Sequence, residues 1–154
     1  VKAHGRCELS VFAKDPETGV LVKCRFDKLL DAKLAIDVKK TQDLRDFGKS
    51  VANYGYHMQA AFYTDVWKWA TGEDLDGFMF AAVEDQMAHA SAMITLDDEA
   101  MDIGRMEYRK ALNTYAECFE RVEWIGIYQE LAPVQLPSWY INQFENESEV
   151  KFDE

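Results

Sequence analysis

The sequence predicts an α/β fold: a single domain with a central mixed β-sheet flanked by helices, in a chain of 154 residues that can bury a sizeable core. Three observations predict it. Residues 6–38 contain three short segments rich in strand-forming residues. Residues 54–71 and 98–121 carry apolar residues at the helical spacings of three and four. A second pair of strand-like segments lies between these two helices.

The first three strands follow in order. Residues 6–13 alternate in character and are rich in strand-forming residues, and a second strand is predicted at 20–26, so 6–26 is predicted to be an antiparallel hairpin. Its turn is residues 15–19, where a proline presets φ and a glycine permits a positive φ. Residues 34–38 are short and apolar, as expected of a buried third strand.

The elements that follow cover this sheet. A short helical segment is predicted at 43–51, and the helix at 54–71 ends before Gly72. Residues 77–83 and 89–95 are predicted to be a further strand pair. Asp97 or Asp98 caps the helix at 98–121, and the proline-containing tail beyond it is predicted to be irregular.

The net charge of −11 argues against a nucleic-acid partner, but the charge is unevenly distributed. Residues 1–50 carry 11 Lys and Arg against 8 Asp and Glu, whereas residues 51–154 carry 6 against 20. A phosphate-binding face is therefore expected in the first third.

Three cysteines without CxxC spacing argue against a disulfide framework or a zinc site and favour a reducing compartment. No signal peptide or membrane-spanning run is recognisable, so a cytoplasmic location without membrane association is expected.

A carboxylate, Asp37, interrupts the predicted third strand. A buried carboxylate is costly unless it is paired or binds a metal. Asp27 is predicted to end the preceding strand, so the two carboxylates converge if these strands are neighbours. Lys39, two residues beyond Asp37, points to the same face.

Two carboxylates and a lysine fit metal-dependent phosphodiester hydrolysis. Mg²⁺, for which Mn²⁺ can substitute, takes oxygen ligands, activates a water and neutralises charge on the phosphate. Asp27 and Asp37 would supply carboxylates and Val38 a carbonyl oxygen. We expect Lys39 to orient the water or stabilise phosphate charge, since lysine is ordinarily protonated near neutral pH.

Several segments resemble a known family. Residues 25–27 (Arg-Phe-Asp) and 35–39 (Ala-Ile-Asp-Val-Lys) resemble the PD-(D/E)xK nuclease signature, with Phe in the proline place. Residues 54–65 resemble the YxYHxQxAFYxD helix of the exonuclease VIII (RecE-type) group, which is related to phage lambda exonuclease. Residues 136–139 resemble that group's C-terminal segment, so the resemblance spans about residues 6–140. It implies a restriction-endonuclease-like core.

The resemblance also implies roles. Asp27 and Asp37 match the metal-binding acids, Val38 the carbonyl ligand and Lys39 the catalytic lysine, while Glu8 stands where lambda-type enzymes carry an additional acid. The QxxxY motif that helps to hold the DNA end is matched by Gln59 and Tyr63. DNA contacts are further expected from Arg25, Lys28, Lys40, Arg45, Lys49 and His57, the last with a structural hydrogen bond as the alternative.

The family resemblance implies 5′→3′ digestion of linear double-stranded DNA in recombination by a bacterial or phage-encoded enzyme. It implies a ring-shaped homo-oligomer and a 3′ single strand passed to an annealing protein. Two departures stand out. Lys40 replaces a more usual Thr, and the family's N-terminal helical region, with its metal-binding histidine, is not matched. Residues 1–154 are therefore expected to be a nuclease core without that part.

Two alternatives remain open. A RecB- or Cas4-like nuclease module of different polarity would share Asp27, Asp37, Lys39 and the QxxxY pair, although the longer match over residues 54–65 favours the first interpretation. A non-catalytic DNA-binding or interaction module is the alternative of a different class.

Overall fold

The structure, a computed structural model, describes residues 4–124, 126 and 133–147. The chain divides into two compact units, Val1–Arg121 and Val122–Glu154. The first contains a β-sheet with the helices that cover it, and the second contains a helix near the C-terminus. None of the helices among the described residues combines the length and hydropathy that a membrane span requires.

The first unit is built on a five-stranded mixed sheet, which confirms the predicted α/β fold class. The strands are β1 (Gly5–Lys14), β2 (Leu21–Leu30), β3 (Leu34–Thr41), β4 (Gly77–Glu84) and β5 (Ser91–Ile94). Their order across the sheet is the same as their order in the sequence. All neighbouring strands pair antiparallel except β3 and β4, which pair parallel.

Helices connect and cover the strands. Two parallel neighbours such as β3 and β4 need a crossover connection, and here it is helical. Asp97 is the cap of the long helix after β5, because its Oδ1 accepts a hydrogen bond from the Ala100 amide at 2.8 Å. The helical segments are a 3₁₀ turn (Leu44–Asp46), α1 (Phe47–Tyr54), α2 (Tyr56–Thr71) and α3 (Asp98–Arg121).

The core lies between the sheet and α2. Phe26 of β2 and Phe80 of β4 are fully buried, and Val66 of α2 is buried with the Phe26 cluster. Ala60 of α2 is buried with the Phe80 cluster, so one helix seals both halves of the core. Burial of this apolar surface stabilises the fold and fixes α2 over the strands that carry the candidate site.

Strand β2 is longer than the sequence predicted. It continues to Leu30, so Asp27 lies inside the strand instead of ending it. The extension forms because Lys28 pairs with Ile36 across a tight connection to β3. Pairing with β1 on either side of Asp27, Phe26 with Leu9 and Lys28 with Cys7, holds this residue within the strand.

The tail is the second difference. Helix α4 (Ser138–Glu147) occupies residues that were predicted to be irregular, while residues 127–132 of the tail lie outside the described residues. The carbonyl of Pro137 accepts hydrogen bonds from the amides of Tyr140 at 2.9 Å and Ile141 at 3.2 Å. Proline suits the start of a helix, where its missing N–H is not needed, so Pro137 begins this helix instead of preventing one.

Candidate active site

Asp27 and Asp37 lie opposite each other on neighbouring strands. In the antiparallel register of β2 and β3, Lys28 pairs with Ile36, and one step further in the same register brings Asp27 opposite Asp37. Asp27 and Asp37 themselves form no backbone pair, so the pairing of β2 with β3 ends just before these two residues. The two strands are thus neighbours, which is the condition on which the predicted convergence of Asp27 and Asp37 depends.

The backbone at Val38 faces the gap between these strands. Its amide donates a hydrogen bond to Asp27 Oδ2 at 2.9 Å, in place of a strand partner. In a β-strand the N–H and C=O of one residue point to the same side, so the Val38 carbonyl also faces Asp27. This orientation is the one that the predicted carbonyl ligand needs.

Asp37, Lys39 and Gln59 form a closed triangle of polar contacts. Lys39 Nζ lies 2.8 Å from Asp37 Oδ2 and donates a hydrogen bond to Gln59 Oε1 at 2.8 Å. Gln59 Nε2 donates to Asp37 Oδ1 at 2.7 Å. The Asp37 side chain is only 6% exposed, so α2 and β3 together hold a carboxylate and an ammonium group out of bulk water. Pairing of this kind offsets the cost of burying each charge.

Two aromatic rings that sequence reasoning missed complete the environment of Lys39. The ammonium nitrogen lies 4.4 Å from the ring centre of Tyr56 and 5.8 Å from that of Phe80. Aromatic faces attract cations, so both rings favour the charged lysine in this place. Tyr56 belongs to the motif at 54–65, but Phe80 is brought here by the parallel register that pairs it with Asp37.

Tyr63 lies one helical turn beyond Gln59 and packs into the core. Its ring centre is 5.4 Å from that of Phe26 and 6.3 Å from that of Phe78, both in edge-to-face contacts. This position supports α2 beneath the polar triangle. The DNA-holding role implied for Tyr63 stays a prediction.

Glu8, the additional acid, is engaged elsewhere. Glu8 adopts a positive φ of 52° in β1. The residues on either side of it pair with Lys28 and Phe26, so the register would place Glu8 opposite Asp27. Its carboxylate forms an ion pair with Arg25 at 3.0 Å, and both side chains are 60% exposed. The structure therefore places Glu8 and Arg25 in a surface pair, and a metal role for Glu8 stays a prediction.

His57 is placed as a structural residue. Nδ1 donates to the Val51 carbonyl at 3.2 Å, and Nε2 lies 2.9 Å from the Glu107 carboxylate of α3. The side chain is buried between these partners. The structure shows the hydrogen bond of the structural alternative, and a DNA contact of His57 stays a prediction.

The other basic residues implied in DNA contact also have protein partners. Lys28 binds a backbone carbonyl, and the other three residues form ion pairs with carboxylates near the end of β3. These ion pairs partly neutralise the positive charge of the expected basic face. The pairs are Lys28 with the Gly5 carbonyl at 3.3 Å, Lys40 with Asp85 at 3.2 Å, Arg45 with Asp43 at 2.6 Å and Lys49 with Asp46 at 2.8 Å.

The donor set at Asp27, Asp37 and the Val38 carbonyl fits a hard divalent cation. Asp37 Oδ2 is buried and lies 2.8 Å from Lys39 Nζ, so a cation that binds this oxygen would compete with the lysine for it. Oxygen ligands of this type suit Mg²⁺ or Mn²⁺, which keep waters in their remaining positions. Within the described ranges no group of three or more His, Cys, Asp or Glu side chains is arranged to hold a metal ion.

Comparisons with known proteins agree with this fold. Residues 3–127 match the family described as "PDDEXK-like domain of unknown function (DUF3799)". No curated protein matches the sequence.

Two solved structures were compared with this fold. One, described as a candidate exonuclease from Eubacterium rectale, has a TM-score of 0.67 at 17% identity, over 92% of this chain and 57% of that one. The similarity shows a shared fold, and this chain spans little more than half of that protein's length. The other, SSO0001, has a TM-score of 0.40 at 15% identity, over 71% of this chain and 50% of that one, too low a score to support an argument.

Proposed function

The chain belongs to the PDDEXK-like DUF3799 family, and from this premise we propose that it is a metal-dependent deoxyribonuclease acting on the ends of linear double-stranded DNA. The observation that carries the proposal is the triangle of Asp37, Lys39 and Gln59 beside Asp27. The partly buried ammonium group of Lys39 is paired with Asp37, and Asp27 lies opposite Asp37 on the neighbouring strand. The arrangement combines candidate metal ligands with a positive charge for phosphate.

Each residue has a separate task in this proposal. Asp27, Asp37 and the Val38 carbonyl would hold Mg²⁺ or Mn²⁺, which when bound supplies an activated water and charge neutralisation. Lys39 donates hydrogen bonds from its ammonium group to the phosphate or to the attacking water, and its charge opposes the negative charge that develops on phosphorus-bound oxygens. Gln59 holds Lys39 and Asp37 at fixed distances, so that both point to one place.

The finer parts of the proposal rest on the resemblance over residues 54–65 and 136–139. They are 5′→3′ polarity, a role in recombination, a ring-shaped homo-oligomer and delivery of a 3′ strand to an annealing protein. The fold similarity to a protein described as a candidate exonuclease supports an end-directed reaction.

Two measurements test the proposal. Calorimetry with Mg²⁺ and with Mn²⁺ measures metal binding, and linear duplex DNA labelled at either the 5′ or the 3′ end reports cleavage and its polarity. We expect metal binding by the wild type, loss of binding in Asp37→Ala, and release of 5′-terminal nucleotides first. Release from the 3′ end first would favour the RecB- or Cas4-like alternative.

A closed circular duplex is the control for end dependence, because it offers no terminus. DNA binding without metal binding and without cleavage of any substrate would contradict the enzyme and favour the non-catalytic module.

A further inference from the structure

A polar cavity of about 350 Å³ opens where β3 ends, beside the candidate active site. Its walls come from the last residues of β3, from α1 and from the loop after β4. Its lining includes Lys40, Lys49, Ser50, Asn53, Tyr54 and Asp85. The size is in the range of sites that hold small organic groups.

The charged side chains that line the cavity are all in ion pairs. Lys40 is paired with Asp85 at 3.2 Å, Lys49 with Asp46 at 2.8 Å and Asp43 with Arg45 at 2.6 Å. Hydrogen bonds from Lys40 lower the pKa of the Asp85 carboxyl, so that carboxylate stays charged at neutral pH. A phosphate would have to displace these carboxylates, whereas a neutral ring with polar edges would not. The cavity is therefore better suited to a base than to a phosphate.

Tyr54 supplies an open aromatic ring at this cavity. It is the last residue of α1 and is 71% exposed. Gly55 follows with a φ of 65°, a conformation that favours glycine and turns the chain into α2. This turn leaves Tyr54 beside the cavity while Tyr56 reaches the active site.

The ring of Tyr54 is joined to the active site through Tyr56. The two ring centres are 5.6 Å apart with planes inclined by 31°, and Lys39 Nζ lies 4.4 Å from the Tyr56 ring centre. The Tyr54 ring centre is thus no more than about 10 Å from Lys39 Nζ. One nucleotide can bridge that distance with its base at Tyr54 and a phosphate at Lys39.

We propose that this cavity binds the unpaired base of a nucleotide adjoining the scissile phosphate, with the Tyr54 ring as its stacking surface. Ser50 and Asn53 supply polar groups for the edge of that base. Stacking on an aromatic side chain accepts any of the bases, so the site binds single-stranded ends without reading their sequence. The assignment of the neighbouring phosphate rests on the proposed nuclease function, but base binding itself does not require catalysis.

The test measures binding of a 5′-fluorescein-labelled single-stranded oligothymidylate by anisotropy in EDTA, so that no metal-dependent cleavage occurs. Tyr54→Ala removes the stacking surface, and we expect its Kd to rise about tenfold or more, while Tyr54→Phe stays within about twofold of the wild type. Phe12→Ala is the matched control, since Phe12 is an exposed aromatic residue (58%) on β1. Its Kd is expected to equal that of the wild type.

A strand with a single abasic position separates stacking from backbone contacts. If the base binds at Tyr54, the abasic strand should bind the wild type more weakly, and Tyr54→Ala should add little to that loss. Equal affinity of Tyr54→Ala and wild type for the intact strand, or a wild type that does not bind it, would overturn the proposal.

Digestion of linear duplex distinguishes this proposal from the proposed function. If strand binding depends on Tyr54 but the protein cleaves no DNA with Mg²⁺ or Mn²⁺, the base site is supported and only the proposed nuclease function is contradicted. If Tyr54→Ala changes neither metal-dependent cleavage nor strand binding, only the proposed base site is contradicted.

Discussion

Lys39 Nζ lies 2.8 Å from Asp37 Oδ2, the oxygen that a metal ion would also use. The lysine and the cation therefore meet at one carboxylate, and repulsion between two positive charges opposes their simultaneous approach. Gln59, which accepts a hydrogen bond from Lys39 at 2.8 Å, offers the ammonium group a neutral partner. Metal binding is thus expected to move Lys39 from Asp37 towards Gln59 and the phosphate.

Replacing Lys39 separates metal binding from chemistry. In Lys39→Met we expect Mg²⁺ or Mn²⁺ affinity, measured by calorimetry, to be at least that of the wild type, because a competing positive charge is gone. Cleavage of end-labelled duplex should fall about 100-fold or more, the usual cost of losing one charge-stabilising donor. Lys68→Met is the control, since Lys68 forms an exposed ion pair with Asp74 at the end of α2. Loss of metal binding in parallel with cleavage would contradict this role of Lys39.

Gln59 is expected to act by positioning. Gln59→Leu removes the hydrogen bonds to both Asp37 and Lys39 but no metal ligand. We expect metal affinity within a few-fold of the wild type, cleavage lower by about 10- to 100-fold, and a free energy of unfolding lower by about 1–2 kcal/mol. Thr64→Val, which loses only a hydrogen bond within α2, controls for stability. An unchanged cleavage rate in Gln59→Leu would show that the triangle does not position Lys39.

The ion pair of Asp15 with Arg109 should make stability depend on pH. Burial alone raises the pKa of Asp15, but hydrogen bonds from Thr18 and Arg109 outweigh it and lower the pKa below its usual value. A carboxyl with a lowered folded-state pKa contributes stability above its unfolded pKa of about 3.9, and this contribution is lost as the pH falls through the folded value. The wild type should therefore lose stability in acid.

Arg109→Met tests this pair. It leaves a fully buried carboxylate without its counter-charge, so urea unfolding at pH 7 should show a loss of about 3 kcal/mol. The difference from wild type should shrink near pH 3, where a protonated Asp15 needs no cation. Arg105→Met, which breaks half-exposed pairs on the same helix, should cost less than about 1 kcal/mol. A difference that is the same at both pH values would rule out the assigned linkage.

Gly104 marks the closest approach of α3 to α2. A Cβ there would lie 2.4 Å from the His57 carbonyl oxygen, so Gly104→Ala must push the two helices apart. We expect a loss of about 1–3 kcal/mol and a lower thermal midpoint. Gly48→Ala in α1 meets no atom within 4 Å and should be neutral or stabilising by up to about 1 kcal/mol. Equal midpoints for the two variants would contradict the close packing.

Local periodicity was enough to predict part of the site. Asp37 and Lys39 are two residues apart in a strand, and Gln59 and Tyr63 are four apart in a helix, so each pair could be assigned to a common face. The structure places Asp37 and Lys39 on one face of β3, as that period requires, while their contact with Gln59 depends on how α2 packs on the sheet. Metal and DNA roles stay predictions.

The rest depends on contacts between distant segments. Phe80 reaches Lys39 only because β4 lies parallel to β3 in a register that pairs Phe80 with Asp37, and no local pattern encodes that register. The positive φ at Glu8 and its pairing with Arg25 likewise depend on how β1 meets β2. The proline-based prediction of an irregular tail was wrong over α4 because Pro137 begins that helix.

The hydrogen bond between the Val38 amide and Asp27 has a consequence for how a loss of activity is interpreted. Asp27→Ala would remove a carboxylate and also leave the Val38 amide without its acceptor. A loss of activity in this variant could therefore reflect unfolding instead of the loss of a metal ligand. Asp27→Asn keeps an oxygen that can accept from Val38 while lowering the charge available to a cation. Of these two variants, only Asp27→Asn separates the role of this residue in folding from its role in metal binding. A related sequence with asparagine at this position would be expected to fold but to be inactive.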